Sequence, residues 1–300
     1  MPGLVRWKDN TKIKFHDAVK IILGKDKMET LGGKCHDFSV SMCYGENVSC
    51  SYLGNTVLFN AFDISYSTKD ELGKENTVTT RLIIYTIDDG DVFYIGNSIG
   101  FRRILRLLLG YKGRGEIETK GFSISADMLI WLVYKAYYSD DEKEIKPYQK
   151  LELEKIIGIK GTTVDDVNRV SADGETVLKL LSTLSFILES NAYQSANVQL
   201  SYGRHNKLQI QLSVGEKVSV NTTRYYGDYG IGKSYEREDK ISILVFIEIL
   251  PLLKKWYDTE VDSNEWGDNI YIKFLEMIGD EVKKRIDDKI KKQNFAIPKH

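Results

Sequence analysis

The alternation of apolar and polar positions is the clearest pattern in the first half of the chain. It is regular from Phe38 to Met42 and from Val48 to Tyr52, as expected for half-buried strands. One helix is predicted ahead of these strands, at residues 14–23, and another at residues 99–109, where Gly110 is a typical C-cap. Strands are predicted at 36–43, 48–53, 56–62, 77–86, 91–96 and 116–124, followed by an aromatic helix at 126–138.

The second half of the chain shows the alternation again. Two strands are predicted within residues 151–170, followed by a helix at residues 174–189. Ala196–Leu200 and Leu208–Leu212 also alternate, and the residues Gly203–Asn206 between them predict a hairpin connection. The remaining elements are predicted as a short strand at 218–220 and two closing helices at 238–257 and 268–292.

Strands follow strands and helices follow helices in this order, which favours an α+β fold over a doubly wound α/β sheet. We expect two α/β-type halves with largely antiparallel sheets and two C-terminal helices. Residues 138–148 are dense in charge and mark the predicted boundary. The predicted domains are an N-terminal α+β domain at 1–140, with a basic helix and loop, and a C-terminal α+β domain at 149–300, ending in two helices.

Composition limits the choice of partner. The 300 residues are 42% hydrophobic, enough for one large domain or two ordinary ones, each with its own core. The 42 lysines and arginines are balanced by 43 acidic residues, giving a formal net charge of -1. Because the chain has no strong overall field, a nucleic acid would have to be held by a local basic patch.

The cysteine pattern favours a reducing compartment. Cys35, Cys43 and Cys50 are an odd set in a chain without a signal-peptide pattern, so we expect free thiols. They lack the close pairs of a zinc ribbon and, although His36 is adjacent, we interpret them as structural thiols. No apolar run reaches the roughly 20 residues of a membrane span. We therefore expect a cytoplasmic protein.

Residues 99–120 are the strongest candidate for binding an anion, because they hold six cations and only two acids. Arg102 and Arg106 are one turn apart on the predicted helix, and the glycines of residues 110–115 let the backbone approach a phosphate. Tyr111 is available to stack on a base. The alternative is a solvated helix face with an ordinary loop. The candidate DNA-binding residues are Arg102, Arg103, Arg106, Lys112, Arg114 and Lys120.

A metal-dependent nuclease is the enzymatic alternative. Glu118 and Lys120 form a Glu-x-Lys step on a predicted strand, and Asp91 lies upstream with Asp88 and Asp89. Two acids on adjacent strands with a lysine would hold Mg²⁺ and activate a water molecule. Such a step also arises readily by chance, and the aspartates fit an acidic turn. We therefore favour a non-enzymatic protein without a cofactor.

Gly227–Ser234 matches the P-loop pattern letter for letter. A working P-loop lies between a buried parallel strand and a helix whose N-terminus faces the phosphates. Here the preceding residues belong to a predicted antiparallel meander, and the following residues are polar. We interpret the segment as a mobile loop, with a basic contact through Lys233 and Arg237 as the alternative.

The last predicted helix has an apolar stripe that requires a partner surface. Either the core of the same chain or a second copy of the helix would supply it. The C-terminal end of this helix is rich in lysine. The stripe consists of Phe274, Ile278, Val282, Ile286 and Ile290.

One short motif resembles a known family. Lys160–Val167 reads Lys-Gly-Thr-Thr-Val-Asp-Asp-Val after a predicted strand and ahead of a predicted helix, and in that setting it resembles the RexA-like phage-exclusion proteins. A second similarity, in the same order, is Gly90-Asp91 followed by Ile99–Arg102. We interpret the motif as a structural turn. Its residues are Gly161, Thr162, Thr163, Asp165 and Asp166.

The resemblance implies a DNA-binding protein of phage exclusion, a form of abortive infection and antiviral defence. It implies a homodimer that contacts double-stranded DNA through its phosphates, with little sequence preference, and that acts with a separate membrane effector. It supplies no catalytic residue. Because this chain is near neutral, the basic segment and the C-terminal lysines would have to supply the affinity. The nuclease and a protein-interaction module without nucleic acid remain the alternatives.

Overall fold

A computed structural model describes residues 3–31, 35–52, 54–69, 73–97, 100–139, 149–163, 169–173, 178 and 181–296. These residues form two compact units, each built from separate stretches of the chain. Unit 1 consists of Met1–Phe122, Glu216–Val220 and Tyr229–Leu250, and unit 2 consists of Ser123–Gly215, Asn221–Asp228 and Pro251–His300. Most of the predicted boundary at residues 138–148 lies outside the described residues, and the predicted domains 1–140 and 149–300 stay a prediction.

Unit 1 contains an eight-stranded antiparallel sheet. Its strands are β1 (Val5–Asp9), β2 (Thr30–Leu31), β3 (Cys35–Met42), β4 (Val48–Tyr52), β5 (Asn55–Lys69), β6 (Glu75–Ile87), β7 (Val92–Gly96) and β8 (Ile117–Thr119). The spatial order is β2-β3-β5-β6-β7-β1-β8, with β4 paired to β5. Strand β1 pairs with both β7 and β8. It is therefore the second strand from the edge of the sheet, at the end that also holds the basic segment.

Helices cover both faces of this sheet. The helices of unit 1 are α1 (Phe15–Leu23), α2 (Phe101–Leu109) and α5 (Ser234–Leu244), and a π-helical turn at Val245–Ile249 continues α5. On β6, Leu82 and Ile84 join the core beneath α1 and α2. Ile83 and Tyr85 alternate with them and are equally buried on the opposite face. Burial on both faces explains the continuous apolar run in this strand.

Unit 2 combines an antiparallel sheet with helices. Its strands are β9 (Leu151–Thr163), β10 (Arg169–Asp173), β11 (Ser190–Tyr202) and β12 (His205–Ser213), paired in the order β10-β9-β11-β12. A short strand, β13 (Val218–Asn221), spans the division between the units. The helices are α3 (Ala126–Ser139), α4 (Leu181–Glu189), α6 (Leu250–Asp262, whose first residue belongs to unit 1) and α7 (Asp268–Ala296).

One buried carboxylate joins two helices of unit 2 through aromatic side chains. Glu260, 5% exposed, accepts hydrogen bonds from the indole N–H groups of Trp131 and Trp256 at 2.8 and 2.7 Å. Its carboxylate also pairs with the Lys135 ammonium at 2.6 Å. A buried carboxylate is stable only when donors surround it, so this cluster fixes α3 against α6.

The apolar stripe of α7 divides into two parts. Phe274 and Ile278 are buried in unit 2, where the Phe274 ring lies 5.4 Å from the Tyr134 ring. Farther along the helix, Ile286 and Ile290 are 45% and 50% exposed. The first part therefore packs on the chain's own core. The predicted homodimer contact concerns the second part, and it stays a prediction.

The prediction of an α+β fold with largely antiparallel sheets and two long C-terminal helices is confirmed. Some boundaries were wrong. Strand β1 was not predicted, β5 extends to Lys69, and the helix predicted from residue 238 begins four residues earlier, at Ser234. The helix predicted at 174–189 is observed from Leu181 onward as α4, and residues 174–177, 179 and 180 lie outside the described part of the chain.

Among the described residues, no helix is both long enough and apolar enough to cross a membrane.

Candidate anion-binding site

Helix α2 presents its arginines outward because its apolar residues fill the opposite face. The buried positions recur at intervals of three and four residues, the pattern of a helix with one face against a core. Gly110 ends the helix with φ 77°, a left-handed conformation that glycine adopts without a steric penalty, and so confirms the predicted cap. The buried residues are Phe101, Ile104, Leu105, Leu108 and Leu109.

The loop after α2 is anchored in the core through Tyr111. Its hydroxyl donates to the Asp9 carboxylate at 2.7 Å. The Tyr94 hydroxyl donates to the same oxygen at 2.8 Å, while the Thr11 N–H and O–H bind the other oxygen at 2.8 and 2.6 Å. Asp9 is 3% exposed, so these four bonds supply the solvation that its charge loses on burial. Tyr111 therefore anchors the loop and does not present a free ring to a base.

Arg102 connects the helix to the far side of the loop. Its guanidinium donates to the backbone carbonyl of Arg114 at 3.0 Å and to that of Ile117. Both bonds use the same terminal nitrogen, and the side chain, which is half-buried, holds the helix and the far side of the loop together. The prediction treated Arg102 as equivalent to the other arginines, but its main contacts are with the protein itself.

Arg106 faces the one acid of the loop. Its Nε lies 4.0 Å from an oxygen of Glu116, whose other oxygen accepts the Gly113 N–H at 2.7 Å. That backbone hydrogen bond lowers the pKa of Glu116, with a smaller contribution from the Arg106 charge. Part of the charge of Arg106 is therefore already balanced.

Four arginines line one open pocket of about 330 Å³ at the N-terminal end of α2. No acid lies among the lining residues or in the first turn of the helix. Arg103 and Arg114 are exposed, and their side chains make no hydrogen bond or ion pair within the described residues. We call this pocket the arginine surface. It is lined by Gly100, Arg102, Arg103, Arg106 and Arg114.

The two lysines of the predicted set lie beside the arginine surface in the chain but do not line it. Lys112 is exposed in the anchored loop, and Lys120 is exposed directly after β8. The Lys120 backbone binds Arg6 in both directions: the Lys120 N–H donates to the Arg6 carbonyl, and Arg6 Nε donates to the Lys120 carbonyl. Of the six predicted cations, the structure brings together the four arginines.

The acids of the nuclease hypothesis lie on either side of an intervening strand. Asp91 precedes β7 and Glu118 is on β8, but β1 lies between those strands, so the expectation of adjacent strands was wrong. Lys8 of β1 is opposite Glu118 in register and its ammonium forms an ion pair with Asp91. The Lys8 ammonium therefore neutralises Asp91, one of the two acids that the hypothesis assigns to Mg²⁺. This arrangement argues against the nuclease.

A working P-loop requires a preceding parallel strand and a following helix, and the match at Gly227–Ser234 has only the helix. Helix α5 begins at Ser234, the last residue of the match, which the sequence did not predict. The nearest preceding strand is β13, which ends at Asn221, and both sheets are antiparallel. The Lys233 ammonium lies 5.5 Å from the centre of the Tyr235 ring, and a hydrogen bond with Tyr235 raises the pKa of Lys233. A buried parallel strand is what the match lacks.

Arg81 is a half-buried arginine of the same unit whose charge, unlike that of the arginine surface, is balanced by acids. It forms a two-bond pair with Asp239 of α5 at 2.8 and 2.7 Å and a third bond with Asp63 at 2.9 Å. The Tyr44 hydroxyl donates to Asp239 at 2.6 Å. Burial alone would lower the pKa of Arg81, but the Asp239 carboxylate outweighs it and raises that pKa. Nearby, burial raises the pKa of Cys43 to about 11.

The residues of the family motif fall partly outside the described chain. Gly161, Thr162 and Thr163 end strand β9, where Gly161 is paired with Val170 and with Tyr193. A Cβ at position 161 would come within 2.7 Å of the Ala192 carbonyl oxygen, so this position favours glycine. The interpretation as a structural turn is therefore wrong for Gly161, Thr162 and Thr163, which belong to a strand, while Asp165 and Asp166 lie outside the described residues.

All three cysteines are free thiols, in agreement with the prediction. Cys35 is buried in the core of unit 1, while Cys43 and Cys50 are half-buried, more exposed than their strand positions suggested. Burial raises the pKa of each thiol, so none of them is activated as a thiolate.

Comparison with known proteins adds no family to this description. Neither a scan against protein-family models nor a search of curated proteins found a match for the chain. The resemblance to RexA-like proteins therefore rests on the short motifs alone.

The sequence reasoning missed Asp9, which anchors the loop of the arginine surface, and also the Arg81–Asp239 pair of the same unit. Asp9 had a readable signal, because Val5, Trp7 and Asp9 alternate and share one face of a strand. A carboxylate in an apolar register indicates a buried polar anchor. Arg81 and Asp239 had no such signal, because their contact joins residues 158 positions apart.

Proposed function

We propose that this protein binds double-stranded DNA through its phosphates at the arginine surface and does not cut it. The observation that carries the proposal is a pocket lined by four arginines and no acid. Arginine forks match the geometry of phosphate oxygens, and the start of a helix adds a favourable dipole. The anchored loop keeps Arg114 close to Arg103, so two uncommitted guanidinium groups face the same space.

Contacts of this kind position a protein on DNA but do not read its sequence. Low sequence preference is therefore part of the proposal. The resemblance to RexA-like proteins extends it: we propose a role in phage exclusion, as a homodimer that acts with a separate membrane effector. The ion pair between Lys8 and Asp91 supports this choice over the nuclease, because it neutralises one of the two acids that would hold the metal.

Fluorescence anisotropy with two unrelated DNA duplexes, over a range of salt concentrations, tests the proposal. The double variant Arg103→Ala, Arg114→Ala should weaken binding to both duplexes equally. It should also lower the slope of log affinity against log salt by about two, because each phosphate contact contributes about 0.9 to that slope. A matched control removes two exposed lysines of unit 2, Lys255→Ala and Lys273→Ala, and should leave the slope unchanged.

Two results would count against the proposal. An unchanged salt slope in the Arg103/Arg114 variant would place binding elsewhere or exclude it. Degradation of plasmid DNA that depends on Mg²⁺ and is lost in Glu118→Ala would support the nuclease instead.

A further inference from the structure

A β-bulge in β3 turns two neighbouring side chains to the same face of the sheet. Cys35 and His36 are paired with Thr68 and Ser67 of β5, but the next regular pair is Ser39 with Ser65. One extra residue has therefore been inserted into β3 between His36 and Ser39. Asp37 has φ 53°, which marks it as the inserted residue.

The burial pattern shows the effect of the bulge. Cys35 and Phe38 point into the core of unit 1, where the Phe38 ring stacks on the Tyr66 ring at 5.5 Å. His36 and Asp37 both point away from it, although consecutive residues of a regular strand face opposite sides. Bulges commonly re-aim a side chain in this way.

Glu75 reaches the same place from β6. Ser67, the partner of His36 on β5, is paired on its other side with Thr77 of β6. Glu75 lies two residues before Thr77 and so shares its face. The Glu75 carboxylate contacts the His36 imidazole Nε2, and this hydrogen bond lowers the pKa of Glu75.

The result is one imidazole nitrogen and two carboxylate oxygens that lie within 4.8 Å of one another. Asp37 Oδ2 is 3.7 Å from His36 Nε2. Within the described residues, this is the one place where three such ligand groups converge. The side chains are 23%, 72% and 56% exposed for His36, Asp37 and Glu75, so the two carboxylates can adjust around an ion while water completes its coordination.

We propose that His36, Asp37 and Glu75 bind one divalent transition-metal ion, for which Zn²⁺ is the probe. An imidazole with two carboxylates is a ligand set that Zn²⁺ accepts, and the imidazole disfavours Mg²⁺ and Ca²⁺, which prefer oxygen. Cys35, although adjacent, is directed into the core and is not a ligand. The site is separate from the arginine surface and does not depend on the proposed DNA binding.

Competition with a chromogenic chelator measures Zn²⁺ binding to the full-length protein. We expect one saturable equivalent, with affinity at least about tenfold weaker in His36→Gln, because one of the three ligands is lost. Glu75→Gln should also weaken binding. His16→Gln is the matched control, because His16 is exposed on α1 and belongs to no three-ligand group among the described residues, and it should bind Zn²⁺ normally.

Two further measurements, of thermal stability and of competition with Mg²⁺, test whether the bound ion occupies the proposed site. Zn²⁺ should raise the melting temperature of the natural protein but not of His36→Gln, since a ligand of the native state stabilises it. Zn²⁺ should compete successfully against excess Mg²⁺. The proposal is overturned if no saturable equivalent is found, or if His36→Gln and Glu75→Gln, both folded by circular dichroism, bind Zn²⁺ like the natural protein. In that case His36 forms ordinary surface contacts with the two carboxylates, and no metal is bound.

Discussion

Arginines occupy two opposite environments within unit 1. Arg81 is surrounded by two carboxylates, and its partner Asp239 is 1% exposed. At the arginine surface, Arg103 and Arg114 are exposed and their side chains have no acidic partner among the described residues. The first arginine is bound by its own protein, while the second pair is available to another molecule. The balance of local charge, and not the residue type, separates a structural arginine from a binding one.

The largest effect should come from removing the acid that neutralises Arg81. We expect Asp239→Ala to lower the free energy of unfolding by about 3–5 kcal/mol, because it leaves a half-buried guanidinium without its main partner. Chemical denaturation measures this. Asp63→Ala is the control: its carboxylate contacts the same arginine but is 51% exposed, so the loss should stay below about 1 kcal/mol. Equal losses in the two variants would contradict the distinction between buried and exposed partners.

A smaller loss is expected when the anchor of the loop is changed. Asp9→Asn replaces a carboxylate oxygen by an amide nitrogen, which cannot accept from the hydroxyl groups that surround it. The free energy of unfolding should fall by about 1–3 kcal/mol, the cost of unsatisfied buried groups. Asp17→Asn, an exposed acid in the first turn of α1, should cost far less. If Asp9→Asn is as stable as the natural protein, the loop is held by something other than this carboxylate.

The sequence predicted what depends on local pattern. Helix α2 was predicted because apolar spacing and the glycine cap lie within eleven residues, and the structure has it at Phe101–Leu109. The basic face of this helix could be predicted from the same spacing, because the apolar residues occupy one face and the arginines lie on the opposite one. The candidate site was therefore predictable as a cluster of arginines on one helix and its loop.

What the sequence could not predict depends on contacts between distant residues. Strand β1 pairs with β7 and β8, about 90 to 110 positions later, so its place in the sheet depends on residues far along the chain. The same pairing separates Asp91 from Glu118. The commitment of Arg102 to two loop carbonyls also depends on tertiary structure, so the six cations looked equivalent in the sequence.

A comparison within the arginine surface gives the next prediction. The pair Arg103→Ala, Arg106→Ala should lower the salt slope of DNA binding by about one, because Arg106 is partly neutralised by Glu116. The pair Arg103→Ala, Arg114→Ala should lower it by about two. Both should weaken binding to unrelated sequences to the same extent. Unchanged slopes in both pairs, with a loss when Lys289, Lys291 and Lys292 are replaced by alanine, would move the DNA contact to the end of α7.

The smallest effect is expected at the P-loop match. Lys233→Ala should change neither stability nor DNA binding, because Lys233 is exposed and its ammonium is directed at the Tyr235 ring. Equilibrium dialysis with ATP tests the match itself. Weak ATP binding to the arginine surface would disappear in the Arg103/Arg114 variant and persist in Lys233→Ala, since guanidinium groups bind any phosphate. The opposite result, with saturable ATP binding lost in Lys233→Ala alone, would show that Gly227–Ser234 acts as a nucleotide site without the strand that such sites require.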